Sequence, residues 1–263
     1  PSYTVPAYNS DDTDGFSDQE LKEIVAIWTA VAEDFAPYQV DVTTEAPAPG
    51  ALDNGVGVKV IIGGLPSDID IDCERITGVA RFGVKIANRC FVFPKNCSTR
   101  FSCVSITVSH EVGHTVGLYH DGCSTPDKRC FPRDANGEGT QYYGAHNIYN
   151  SIRGGAASKS LTQWSRGEYQ NANNEEDDLD RISTYIPRAV DAFGDNIEAA
   201  HPLAGATTAA GAVVTGVIVT SGDIDVFDVG QVDGDLQLSF SIVPDDFKSS
   251  GRSNLDATVQ VLD

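Results

Sequence analysis

The chain has 263 residues, 41% of them hydrophobic, enough for one large domain or a medium one with a smaller companion. Its 38 acidic against 18 basic side chains give a formal net charge of −20, which argues against nucleic acid and anionic membrane surfaces as partners. No apolar run approaches the length of a membrane span. Six cysteines, all between Cys73 and Cys130, suggest three disulfides and an oxidising compartment, so the protein is expected to be secreted or extracellular. Fifteen pairings are possible, of which Cys73–Cys90, Cys97–Cys103 and Cys123–Cys130 is the most local. With Pro1 in place of an initiator Met, the chain reads as a mature form from which a leader has been removed.

Residues 1–16 are polar and turn-rich and are expected to lie across the surface. Ser17 and Glu20 have the spacing of a capping box, and Leu21, Ile24, Val25, Trp28, Val31, Ala32 and Phe35 then recur at helical spacing. This predicts an amphipathic helix over 18–35 packed on a sheet. Strands are expected at 38–44, 56–62, 78–82 and 90–93, where β-branched and aromatic residues alternate or run together. Asp68, Asp70 and Asp72 alternate with Ile69 and Ile71; a solvated face is the plainer account and calcium the alternative.

The stretch from Cys103 to Val116 is apolar nearly all round and is expected to be a buried central helix. It carries His110 and His114, four residues apart, so both imidazoles project from one face and can grip one cation. Glu111 stands beside the first ligand, within reach of a water on that cation. Gly117 can end the helix in a left-handed conformation, and the reversed chain returns His120 as a third nitrogen ligand. Three neutral imidazoles with an open fourth position describe a catalytic zinc site, in which Glu111 serves as general base.

The motif HExxHxxGxxHD over His110–Asp121 resembles the zinc signature of the metzincin metalloendopeptidases, with the ending seen in reprolysin-like and gametolysin-like members. The resemblance implies an α+β catalytic domain, a twisted mixed sheet packed on helices beside a zinc cleft. It also implies hydrolysis of peptide bonds in a protein or peptide substrate, with an edge strand near Gly78–Phe82 that pairs with that substrate. Asp121 is expected to anchor the loop after the third ligand. Residues 141–154 resemble the segment leading to the family's Met-turn. The position where the family carries Met is Arg153 here, and the chain contains no Met. A guanidinium there brings a cation close to a dication and should weaken metal binding unless it turns outward, with Ile152 supplying the apolar floor. His146 is expected in a surface or loop role.

Asn174 is expected to cap a helix whose first turn holds Glu175, Glu176 and Asp177; calcium is again the alternative for this acidic cluster. Composition shifts near Arg188. Val213–Val219, Asp225–Phe227 and Leu236–Ile242 alternate between turns, as in an all-β sandwich. Ser221–Phe227 and Asn254–Ala257 resemble the pre-peptidase C-terminal domain of secreted proteases, a domain that continues beyond such a segment. The expected organisation is a zinc metallopeptidase domain over 1–188 and a truncated accessory β-sandwich over 189–263. The alternative to a secreted endopeptidase is a metzincin-derived structural or adhesive component of an extracellular assembly, with proteolysis reduced or absent and partners bound through the β domain.

Overall fold

A computed structural model describes residues 3–52, 55, 57–83, 89–98, 100–133, 135–155, 159–203, 212–231, 235, 237–240, 254–255 and 257–262. The fold is mixed α/β, with few helices and small sheets. It divides into two compact units. One comprises Pro1–Asp34, Asp41–Tyr185 and Ile242–Asp263; the other comprises Phe35–Val40 and Ile186–Ser241.

In the first unit, helix α1 (Asp18–Asp34) begins at the capping box foreseen from sequence. The Glu20 amide donates to Ser17 Oγ at 3.2 Å, and the Ser17 amide donates to Glu20 Oε2 at 3.0 Å, so two otherwise orphaned donors are satisfied. The buried face differs from the expected one. Ala26, Ile27, Ala30 and Val31 point inward, whereas Leu21, Val25 and Trp28 are exposed. Helix α1 packs on a second helix rather than on a sheet. The small Ala26 and Ala30 let two helical backbones approach closely, which a stripe containing Trp28 would prevent. Trp28 instead turns its indole N–H to the Val42 carbonyl at 2.6 Å.

Three strands follow: β1 (Lys59–Ile62), β2 (Gly78–Val79) and β3 (Arg89–Val92). The central β3 pairs in parallel with β1 and antiparallel with β2, so β2 is an edge. The strand expected at 38–44 is reduced to one isolated bridge, Tyr38 to Arg188, within the second unit. Helix α2 (Phe101–Thr115) packs against both α1 and the β3–β2 side of the sheet. Val104, Ser105, Ile106, Thr107, Val108 and Ser109 are all buried in consequence. Each buried Val or Ile contributes about 1.5–3 kcal/mol. Buried hydroxyls find partners: Thr107 Oγ1 donates to the Cys103 carbonyl in its own helix, and Ser109 Oγ to Asp34 Oδ2 at the end of α1.

Beyond α2 come four short strands in two ladders. Strand β4 (Cys130–Phe131) pairs antiparallel with β5 (Tyr142–Tyr143), and β6 (Tyr149–Ser151) pairs in parallel with β7 (Leu161–Gln163). Helix α3 (Asp178–Ser183) is capped by Asp177, whose Oδ1 accepts from the Leu179 and Asp180 amides. The expected cap, Asn174, lies too far upstream: it accepts from the Glu176 amide and points its amide nitrogen at Asp121.

The second unit holds a parallel pair, β8 (His201–Pro202) with β9 (Phe227–Asp228), beside the edge-to-face rings of Phe193, His201 and Phe227. Among the described residues, Val213–Val219 forms no ladder and no β-sandwich is present. Of the expected strand at 236–242, residues 236, 241 and 242 lie outside the described residues, and 237–240 forms no ladder. Asn254, by contrast, contacts the first unit's own helix and strand. Its amide donates to Glu33 Oε1 at 2.7 Å, its Nδ2 to Asp34 Oδ1 at 3.2 Å, and its carbonyl accepts from Gln163 Nε2 at 2.7 Å. Among the described residues no helix is long and apolar enough to cross a membrane.

Two of the local disulfides form, Cys97–Cys103 and Cys123–Cys130. Cys73 and Cys90 remain thiols, because Cys73 sits in an exposed loop while Cys90 is fully buried on β3. Thiol alkylation of the native protein should therefore label Cys73 alone, and denaturation without reductant should add Cys90. A protein with no alkylatable thiol in denaturant would instead carry the third bridge.

Candidate metal centre

Helix α2 ends at a turn that supplies the third histidine. The Gly117 amide donates to the His114 carbonyl and the Leu118 amide to the Gly113 carbonyl, both at 3.0 Å, the paired bonds of a Schellman cap. Gly117 has φ of 84°, and a Cβ there would stand 2.9 Å from Arg181 Nη2. The backbone conformation requires Gly, whereas the Arg181 guanidinium, at the tip of a flexible side chain, can shift. The chain then reverses and brings His120 to face His110 and His114. One ring nitrogen from each lies within 4.8 Å of the others.

The tautomers are set by backbone carbonyls. His110 Nδ1 lies 2.8 Å from the Ile152 oxygen and His114 Nδ1 lies 3.1 Å from the Leu118 oxygen, so both Nδ1–H groups donate and both Nε2 lone pairs turn inward. His114 Nε2 and His120 Nε2 are 3.0 Å apart. Two lone pairs at that range repel unless a proton or cation lies between them, and tetrahedral zinc spaces its nitrogens by ~3.3 Å. Burial, reinforced by the Arg153 charge, pushes His114 down to about 3 and His120 to about 4, and His110 well below its usual range. All three rings are therefore neutral near pH 7, as ligands must be. His110, His114 and His120 together could hold a metal ion.

Glu111 projects from the same turn and is nearly fully buried. Its Oε2 is enclosed and has no hydrogen-bond partner, and desolvation raises the carboxyl to about 7. Strand β2 passes directly over it. A Cβ on Gly78 would come within 2.7 Å of Glu111 Cγ, so Gly is needed at this crossing. Phe82, just beyond the edge strand, lies 4.5 Å from Tyr119, tilted against it, and 6.2 Å from His114, edge to face, measured between ring centroids. An open depression of about 620 Å³ lies beside His120, lined by Tyr119, Ser124, Thr140, Gln141 and Asn173 among others.

Asp121 is buried and heavily bonded. It accepts from Ser151 Oγ, Ser165 Oγ and Asn174 Nδ2, while its amide donates to the Arg153 carbonyl at 2.9 Å. The return segment is thereby fixed to the end of β6, to the residues just after β7 and to the segment before α3. Desolvation holds the carboxyls of Asp121 and of buried Asp178 above the usual range. His146 lies away from the three imidazoles, its Nδ1 2.9 Å from the Tyr143 hydroxyl.

Arg153 does not turn outward. It is fully buried, and its guanidinium contacts His114 at 2.8 Å from Nδ1 and 3.2 Å from Nε2. A donor in line with either lone pair would be far from the other nitrogen; closeness to both places it over the ring face. The in-plane directions of His114 stay open, one to Leu118 and one to the centre. Burial lowers Arg153 to about 10, which leaves it charged. Asp178, Glu111 and Asp121 favour the charged guanidinium against its burial, while three neutral imidazoles present their nitrogens to one point. The donor set fits zinc on these grounds.

Tyr142, whose ring lies 4.4 Å from His120 and 5.7 Å from Phe131, joins the site without a sequence signal, as do Ser151, Ser165 and Asp178. Nothing in their local spacing marks them. In the second unit, the carboxylates of Asp191, Asp223 and Asp225 also lie within 4.8 Å of one another, a group that pattern reasoning did not single out. The acidic stretches for which calcium was the alternative have other contacts: Asp68 accepts from the Leu65 amide and Asp177 caps α3.

No protein-family model matches the chain, and no curated protein matches it at a significant level. Replacing Gly117 by Ala should cost about 1–2 kcal/mol from the left-handed backbone alone, read as a lower denaturant midpoint. Zinc affinity should fall with it, because His120 depends on that turn. Unchanged affinity would show that the return of His120 does not need the Gly conformation.

Proposed function

We propose that this chain is a secreted zinc-dependent endopeptidase of the metzincin type. The observation that carries the proposal is the convergence of His110, His114 and His120 beside a buried, unpartnered Glu111 carboxylate oxygen. Nε2 of each of the three histidines would hold the ion. When bound, zinc supplies Lewis acidity, which polarises a peptide carbonyl and lowers the proton affinity of an attacking water.

The remaining chemistry belongs to the protein. Glu111 takes the proton from the water at its free oxygen and delivers it to the departing amine nitrogen, so one carboxylate serves both halves of the reaction. Enclosure by β2 and α2 keeps that proton from bulk solvent. The substrate would lie extended along the open side of β2, continuing the β1-β3-β2 sheet through backbone hydrogen bonds. Exposed Phe82 and Tyr119 offer an apolar ledge beside the ion, and the polar depression next to His120 would accept a side chain. Cys123–Cys130 clips the loop that borders this depression.

Arg153 favours a second function, a metzincin-derived component of an extracellular assembly that keeps the fold and the metal with little proteolysis. Purified protein should bind one zinc per chain and lose it on His120→Ala. It should cleave an unfolded protein substrate in a hydroxamate-sensitive manner, and Glu111→Ala should reduce cleavage by about 10²–10⁴-fold without loss of zinc. A zinc-loaded chain that cleaves no peptide library would select the second function, and a chain that binds no zinc would overturn both.

A further inference from the structure

The geometry points to Arg153 as a positioning residue that ties the end of the ligand helix to the returning chain and so holds the three imidazoles in place. The tie is made through backbone carbonyls on both sides of the turn. Nη1 donates to the His110 carbonyl in helix α2; Nη2 donates to the Leu118 carbonyl at 2.9 Å, and Nε to the Tyr119 carbonyl at 3.0 Å, both beyond the helix. A planar fork reaches these acceptors from one side chain, whereas a thioether can reach none of them and an ammonium has no such fork.

The slot for this side chain is built in. Gly113, between the two helical histidines, has no side chain; a Cβ there would come within 3.3 Å of Arg153 Cδ and Nη1 and 3.2 Å of Leu118 Cδ1. The same Leu118 oxygen accepts from both Arg153 and His114, so one carbonyl fixes the guanidinium and the ring together. The Arg153 backbone completes the arrangement, its carbonyl accepting from the Asp121 amide. Asp178, Glu111 and Asp121 surround the guanidinium electrostatically, which is what permits a cation to stay buried next to a cation site. Arg153 therefore replaces an apolar floor by a bonded one, and the repulsion it adds toward a dication is offset by the order it imposes on the ligands.

The role concerns the metal centre proposed above, yet the metal-free chain also reports on it. The experiment compares the parent with Arg153→Met, Arg153→Lys and the double variant Arg153→Met with Asp178→Asn. It measures zinc affinity by chelator competition and the thermal midpoint of metal-free protein. Arg153→Met should weaken zinc binding about 10–100-fold, the range for residues that orient ligands, although it removes a neighbouring positive charge. The metal-free midpoint should fall as well, and adding Asp178→Asn should recover part of that fall by removing a buried carboxyl left without its cationic neighbour. Arg153→Lys keeps the charge without the fork and should also lose affinity. Zinc binding by Arg153→Met that equals or exceeds the parent's, with an unchanged midpoint, would overturn the proposal. If Arg153→Met yields no folded protein, parental zinc affinity in Arg153→Lys would overturn it alone. Failure of the parent to bind zinc refutes the metal centre, and the metal-free midpoints still decide whether Arg153 is a tie.

Discussion

Three nitrogen ligands from one short stretch can converge only if the chain reverses between the second and the third, and here a single left-handed residue makes that reversal. Gly117 lets the last turn of α2 close on itself, with the Gly113 and His114 carbonyls satisfied, and directs Leu118 back under the helix. Everything downstream is arranged to hold the returned strand. Leu118 is buried, Asp121 is bound by two hydroxyls, and the Tyr143 amide donates to the Asp121 carbonyl. The helix itself is buried between α1 and the strands β2 and β3, which both pack on it.

The electrostatic character of the centre follows from its burial. Imidazoles removed from water resist protonation and keep their lone pairs. Carboxylates removed from water resist ionisation, so a set of them beside the rings is costly unless positive charge is brought in. Arg153 brings one unit of it, on the face of His114 rather than in the plane of its lone pairs.

Local signals were legible in the sequence and distant ones were not. Ser17 and Glu20 announced the start of α1 because a capping box needs only four consecutive residues. His110, His114, Gly117 and His120 could be placed together because helix geometry and one turn dictate their directions. The face of α1 was misjudged: its sequence holds two apolar stripes, and fit against α2 chose the one with Ala26 and Ala30. Arg153 was located but its direction was not, since that depends on Asp121, Asp178 and three carbonyls from two segments. The nearer cysteine pairs were predictable from spacing alone. Cys73 and Cys90 were not, because burial of β3 separates them. The second unit yields least, for alternation in Val213–Val219 shows a strand-compatible segment and names no partner for it.

The seating of Asn254 carries a temporal consequence. It bonds Asp34 at the end of α1, and Asp34 in turn accepts from Ser109, the residue before the first ligand. During synthesis the helix bearing the ligands leaves the ribosome well over a hundred residues before Asn254 does. At about 5–20 residues per second that interval lasts several seconds or more, during which Glu33 and Asp34 lack this partner. The nascent centre thus forms against an incomplete wall, and these contacts close only when the segment around Asn254 docks.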